Sequence, residues 1–85
     1  MASYRLLIKP SAAKELEAVP KRDRRRVVVR IQSLRNDPRP PDSEKLSGHD
    51  LYRVRQGNYR VLYSVDDTHE TIIVIKIGHR REVYR

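Results

Sequence analysis

The chain has 85 residues and no cysteine, and 19 Lys and Arg residues against 11 Asp and Glu residues give it a formal net charge of +8. A chain of this length predicts a single domain over residues 1–85, with a thin core. The lack of cysteine excludes disulfides and thiolate metal sites, and no apolar run suits a membrane span or a signal peptide. These features predict a cytoplasmic protein. Its charge favours nucleic acid, an anionic membrane or an acidic protein as partner, and a basic surface without such a partner is the equal alternative.

The first predicted elements are a short strand and a helix. Residues 4–8 are apolar enough for a strand, which ends at Pro10. Ser11 is predicted to cap a helix over residues 12–18, because a serine side chain can accept a hydrogen bond from a free N–H of the first turn. Pro20 breaks this helix and suits the first turn of another.

A second helix is predicted over residues 21–36. One apolar stripe at helical spacing supports it, formed by Val27, Val28, Ile31 and Leu34. The opposite face is polar and mostly basic, with Arg22, Arg25, Arg26, Arg30 and Gln32. The tight break between the helices predicts a helical hairpin, and the proline-rich residues 37–42 form a loop.

The second half of the chain predicts a β-meander over residues 51–56, 59–66 and 71–77. Gly57 and Asn58 form the first turn because both tolerate positive φ, and residues 67–69 form the second. The last strand is apolar at both sets of alternating positions, which is typical of a central strand. The predicted fold is therefore α+β in the order β-α-α-β-β-β, with the helical hairpin packed on one face of a small, mainly antiparallel four-stranded sheet.

The first hairpin turn also predicts which side chains share a face. With Gly57 and Asn58 at the tip, Arg55 lies opposite Arg60, and Arg53 lies opposite Leu62. Alternation along each strand then sends one set toward the helices as core, namely Tyr52, Val54, Val61 and Tyr63. The other set, Arg53, Arg55 and Arg60, is predicted to be exposed on the open face of the sheet.

This arginine cluster is the candidate site. Like charges opposite each other destabilise a sheet, and no acid is interleaved with the arginines on either strand. Ordinary solvated charge is the alternative explanation. Guanidinium groups suit phosphate oxygens and stack on bases, so the cluster favours a polyanionic ligand.

The C-terminal segment can bring Arg80, Arg81 and Tyr84 to the same place. A frayed basic tail is the alternative, although the apolar surface of Val83 and Tyr84 favours packing of this segment against the rest of the domain. Tyr84 is a core residue, a ring on which a base stacks, or a phenol near the arginines. Their positive field would lower its pKa and make it a usable base for a ribose 2′-OH.

The three histidines give a weaker signal. His79 is a candidate general acid or base, or a packing residue. His49 and His69 stand in predicted loops without the spacing of a metal site, so neither a metal nor another cofactor is expected.

Four motifs in order resemble the RelE group of the RelE/ParE toxin superfamily: Lys45-Leu-Ser-Gly48, Leu51-Tyr-Arg-Val-Arg55, Asn58-Tyr-Arg-Val-Leu-Tyr-Ser-Val65 and Gly78-His-Arg-Arg-Glu-Val-Tyr84. The resemblance covers almost the whole chain and implies one RelE-like toxin domain. It implies the toxin of a type II toxin–antitoxin pair, with a cognate antitoxin, the ribosome and mRNA as partners and no membrane or metal. Such toxins cut mRNA in the ribosomal A site: the ribose 2′-OH attacks the adjacent phosphate, which leaves a 2′,3′-cyclic phosphate and a 5′-OH.

The same resemblance implies roles for individual residues. Arg60 would contact the scissile phosphate, and Arg80 and Tyr84 would complete the catalytic set. RNA-binding roles fall to Lys45, Arg53, Arg55, His79 and Arg81. Arg53 and Arg55 stand where RelE proteins often have two lysines, and an arginine cannot easily replace a lysine that gives or takes a proton.

Two other interpretations stay open. A ParE-like toxin would have the same fold, bind DNA gyrase and carry no nuclease chemistry, and a third possibility is an RNA-binding module without activity. The set of Arg60, Arg80 and Tyr84 favours the nuclease, because a gyrase-binding protein has no need for phosphate chemistry.

Overall fold

The computed structural model describes residues 3–46 and 50–79. Its elements in chain order are β1 (Arg5–Ile8), α1 (Pro10–Glu17), α2 (Lys21–Ser33), β2 (Glu44–Lys45), β3 (Leu51–Gln56), β4 (Tyr59–Asp66) and β5 (Thr71–His79). The five strands form one sheet in the order β1-β5-β4-β3-β2, in which only the β1–β5 pair is parallel. The predicted fold class is confirmed, with β2 as a fifth strand that is too short for a sequence pattern to reveal.

A proline stands at the start of each helix, at the first position of α1 and at the N-cap of α2. α1 starts at Pro10 with Lys9 in the N-cap position, so the prediction that Ser11 caps this helix is wrong. Proline fits the first position because its missing N–H would have no partner there anyway. Pro20 takes the N-cap position of α2, which ends at Ser33, short of the predicted end.

The β3–β4 hairpin has the predicted register. Arg55 pairs with Arg60 and Arg53 with Leu62, and Gly57 in the turn has a φ of 60°. The four predicted core residues of this hairpin, Tyr52, Val54, Val61 and Tyr63, are all buried. β5 lies between β1 and β4, as its apolar pattern indicates, and it extends beyond the predicted end to His79.

One core joins the helices to the inner face of the sheet. From the helical half it takes Ala12, Val19, Val27, Ile31 and Leu34. Leu34 and Val27 are fully buried, as their place in the apolar stripe of α2 predicts. Truncating a buried leucine to alanine costs about 2–5 kcal/mol, so Leu34 matters for the folding of so small a protein. No helix within residues 3–46 and 50–79 is long and apolar enough to cross a membrane.

The loop between α2 and β2 is held against the sheet by polar contacts. Arg39 forms an ion pair with Asp67, with 2.8 Å between Nη2 and Oδ2, and its Nε donates a hydrogen bond to the Tyr52 hydroxyl at 2.8 Å. The Tyr4 hydroxyl donates to Asp67 at 2.6 Å, and the Tyr63 hydroxyl donates to the carbonyl oxygen of Pro38 at 2.7 Å. These contacts fix the path of the chain into β2.

The stability of the protein should depend on pH through the Tyr63 hydroxyl, which anchors the loop between α2 and β2. Burial raises the pKa of the Tyr63 phenol to about 12, because the phenolate would lose its hydration. The neutral Tyr63 phenol therefore contributes fully to the free energy of unfolding below the pKa of tyrosine in the unfolded chain, about 10. This contribution is lost as the pH rises from about 10 to about 12. We expect the melting temperature to fall over this interval. Melting curves of Tyr63→Phe, which has no group to ionise, should fall less steeply there, and equal slopes would contradict the assignment.

Candidate RNA-binding face

The candidate site is the face of the sheet turned away from the helices. The cross-strand pairs Arg53–Leu62 and Arg55–Arg60 place Arg53, Arg55 and Arg60 on this one side, and we call these three residues the arginine face. The order of β3 and β4 and the turn between them suffice to bring them together. The structure therefore supports the predicted grouping of the three arginines.

The three arginines differ in exposure. Arg55 is exposed, the side chain of Arg53 is 13% exposed, and Arg60 is only 4% exposed. The prediction that Arg60 is exposed is wrong. Alternation along a strand gives the side of the sheet but not the exposure, and Arg60 lies on a central strand, between β3 and β5, with Gly78 opposite it on β5. Arginine side chains are cations in proteins, so Arg60 places a positive charge at a largely buried position of the sheet.

Arg53 has an acidic partner that the sequence did not reveal. Glu44 on β2 lies opposite Arg53, and its Oε2 is 3.0 Å from Nη2 of Arg53. No acid is interleaved on β3 or β4 near the arginines, but β2 brings one to the same face. Lys45 pairs with Tyr52, so alternation places it on the other side of the sheet from the arginine face.

The end of β5 lies beside the arginine face. Gly78 pairs with Arg60, and His79 pairs with Tyr59, with the two rings in edge contact at 5.7 Å between centroids. Tyr59 packs against the core, so the structure places His79 on the helical side and not among the arginines. Arg80, Arg81 and Tyr84, which follow His79 in the chain, lie outside the described residues, as does His49.

Glu15 of α1 fixes the end of β5. β1 ends at Ile8 opposite Val74, so within residues 3–46 and 50–79 the later residues of β5 have no strand on that side. There the Glu15 carboxylate accepts a hydrogen bond from the Ile77 N–H at 3.0 Å and pairs with Lys76 Nζ at 3.0 Å. Sequence analysis missed Glu15, whose role depends on where β1 stops.

The described residues do not offer a metal site. Among residues 3–46 and 50–79, no three His, Cys, Asp or Glu side chains are grouped so that they could hold a metal ion. His69 instead pairs with Asp66 at 2.8 Å in the β4–β5 turn, which lowers the pKa of the Asp66 carboxyl. The described residues of the arginine face offer fixed cations and hydrogen-bond donors.

Comparison with known proteins identifies relatives of the whole chain. Residues 6–84 match the family described as the ParE toxin of the type II toxin–antitoxin system parDE. Toxin RelE3 of Methanocaldococcus jannaschii is 32% identical over 85 residues, 94% of each chain. Toxin RelE of Mycobacterium tuberculosis is 33% identical over 86 residues, 96% of this chain and 87% of that protein. A shorter match to toxin RelG of M. tuberculosis, 38% identical over 45 residues, spans only 49% of that protein.

Solved structures show the same architecture. The toxin–antitoxin complex RelBE2 of M. tuberculosis contains a chain that superposes with a TM-score of 0.81 at 27% identity, covering 92% of this chain and 99% of that one. A chain of the RelE–RelB complex of Pyrococcus horikoshii gives a TM-score of 0.79 at 33% identity, with 92% and 96% covered. With fold, length and sequence in agreement, the chain belongs to the RelE/ParE superfamily and is a RelE-type toxin of type II toxin–antitoxin systems.

Proposed function

We propose that this toxin is a ribosome-dependent, metal-independent endoribonuclease that cuts mRNA in the ribosomal A site and so stops translation. The observation that carries the proposal is the position of Arg60. Its charged side chain is only 4% exposed, whereas arginines that serve as ordinary surface charge are mostly exposed. A cation that is fixed in position before the reaction can stabilise the negative charge that develops on the phosphate, because the protein does not have to reorganise during the step.

The chemistry assigned to the site is an internal transfer at phosphorus. A base takes the proton of the ribose 2′-OH, the 2′ oxygen bonds to the adjacent phosphorus, and the bond from phosphorus to the 5′ oxygen breaks. The products are a 2′,3′-cyclic phosphate and a 5′-OH, once the leaving oxygen takes up a proton. We assign stabilisation of the pentacoordinate phosphorane to Arg60 and Arg80, and the base to Tyr84.

The remaining predicted residues would hold the RNA. We assign Arg53 and Arg55 to backbone phosphates next to Arg60, and their position on the same face of the sheet supports this assignment. Lys45 and His79 lie away from that face, so we assign them to nucleotides flanking the cleaved one, and Arg81 to the same backbone.

One experiment tests the reaction. The protein is incubated with ribosomes programmed with a defined mRNA, with EDTA-treated protein in parallel, and the new 5′ and 3′ ends are mapped. Cleavage within the A-site codon that leaves a cyclic phosphate supports the proposal. The matched ParE family makes DNA gyrase the alternative target, so supercoiling by gyrase is measured with the same preparation. If the protein blocks supercoiling by gyrase and leaves the mRNA uncut, the proposed function is wrong and the toxin is a gyrase inhibitor.

We also propose a cognate antitoxin as partner, since the RelE chains with this fold were solved in RelBE and RelE–RelB complexes. An acidic antitoxin segment that covers the arginine face should bind more weakly as salt rises, because exposed charges are screened within about 10 Å at 0.1 M salt. Calorimetric titrations at several salt concentrations would measure this. An affinity independent of salt would place the antitoxin on an apolar surface instead.

A further inference from the structure

The exposed side of α2 carries a second basic surface, which the arginine face does not include. Six of the 13 residues of this helix are cations and one is an acid. Four of the cations, Lys21, Arg22, Arg25 and Arg26, line one shallow depression, and we call these four the α2 basic face. They lie opposite the buried positions Val27 and Ile31, so they point away from the core.

Folding does not account for this surface. None of the ion pairs found in residues 3–46 and 50–79 involves Arg22, Arg25 or Arg26, and all three are exposed. Arg22 has like charges three and four residues away, at Arg25 and Arg26, which destabilises a helix. The first turn is also the positive end of the helix dipole, where cations are unfavourable.

The α2 basic face has the chemistry of a nucleic-acid contact. Surfaces that bind nucleic acid are far more positively charged than those that bind protein, whose centres are enriched in aromatic residues and depleted of charge. Val29 is the large apolar side chain exposed beside the face, and α2 contains no aromatic residue. Guanidinium groups match phosphate oxygens in pairs of hydrogen bonds.

The two basic surfaces meet at the edge of β3. Arg25 and Arg26 also line a depression with Gln56, the last residue of β3. The preceding residue, Arg55, is exposed on the other side of the strand, within the arginine face. β2 pairs only with Arg53 and Tyr52, so no strand of the sheet covers the end of β3 among the described residues. Positive charge therefore continues around this edge.

We propose that the α2 basic face is a second RNA-binding surface, which takes the sugar–phosphate backbone of ribosomal RNA and continues around the β3 edge into the arginine face. The inference rests on the proposed action at the ribosome. It adds a contact that is separate from the cleavage chemistry and that anchors the toxin to folded RNA while the arginine face holds the mRNA.

The test uses the full chain and bacterial 70S ribosomes that carry no mRNA, so that cleavage plays no part. Affinity is measured over a range of KCl concentrations for the wild type and for Arg22→Gln/Arg25→Gln/Arg26→Gln. Each lost phosphate contact lowers the slope of log K against log salt by about 0.7–0.9, so we expect the slope to fall by about 2–3 and the affinity at 0.1 M salt by about 100-fold. Glutamine is a good helix former, and melting curves check the fold.

The matched control is a second variant, Arg5→Gln/Lys9→Gln/Lys14→Gln, which removes the same charge from exposed positions on β1, at the N-cap of α1 and on α1. It should bind nearly as well as the wild type. Equal losses in both variants, no binding by the wild type, or a loss of antitoxin affinity alone in the α2 variant would overturn the inference. Ribosome binding through α2 without any mRNA cleavage would overturn the nuclease proposal alone.

Discussion

Replacing Arg60 by alanine is expected to slow mRNA cleavage by about 10²–10³-fold, the usual cost of removing one preorganised charge-stabilising donor. The measurement is single-turnover cleavage on programmed ribosomes at saturating toxin, which separates chemistry from binding. Induction of the variant in cells should correspondingly fail to arrest growth. The effect is expected to be large because burial restricts the Arg60 side chain, so its charge is held in place before the reaction.

Burial also means that Arg60→Ala removes packing. The melting temperature is therefore measured with the rate, and the variant Arg60→Lys is included because it keeps a positive charge and most of the stem. Lysine presents a point charge in place of a planar fork, so we expect partial activity. Arg5→Ala, which truncates an exposed arginine on the far edge of the sheet, is the matched control and should cleave normally. A folded Arg60→Ala protein that cuts mRNA within threefold of the wild-type rate removes Arg60 from the catalytic set.

Replacing Tyr84 by phenylalanine is expected to keep ribosome and mRNA binding but to slow cleavage by about 10²–10⁴-fold, the usual contribution of a general base. The aromatic ring stays and only the hydroxyl is lost, so the change reports on proton transfer. Single-turnover rates for the wild type, Tyr84→Phe and Tyr84→Ala are compared on the same programmed ribosomes.

The other two roles of Tyr84 predict different patterns. If its ring stacks on a base, phenylalanine preserves most of the activity and alanine does not. If it is a core residue, alanine costs about 3–5 kcal/mol and lowers the melting temperature by well over ten degrees. Full single-turnover activity in Tyr84→Phe would show that Tyr84 is not the base. His79 would then be the next candidate, although its ring lies against Tyr59 in this structure.

The two variants test different halves of the mechanism. Arg60 is assigned to the charge that develops on the phosphate, and Tyr84 to the proton of the attacking hydroxyl. Both groups are assigned to the same step. If they work as a unit, the loss of rate in the double variant should be far smaller than the product of the losses in the two single variants. Multiplicative effects on the single-turnover rate would indicate that the two residues contribute to the step independently.

Local chemistry determined most of the fold. The glycine and asparagine turn set the register of the β3–β4 hairpin, and alternation along two strands then assigned Tyr52 and Tyr63 to the core and three arginines to one face. The apolar stripe of α2 likewise placed Val27 and Leu34 in the core. These predictions succeeded because turn geometry and side-chain periodicity depend on residues that are close in sequence.

Only the tertiary structure decided how the candidate site is built. Arg60 is only 4% exposed although alternation predicts an exposed side chain, and the residue opposite it on β5, Gly78, is distant in sequence. Arg53 meets Glu44 because a loop anchored by Arg39 and Pro38 delivers a two-residue strand to the sheet edge. Exposure and ion pairing depend on which distant segments become neighbours, and no local pattern in the sequence carries that information.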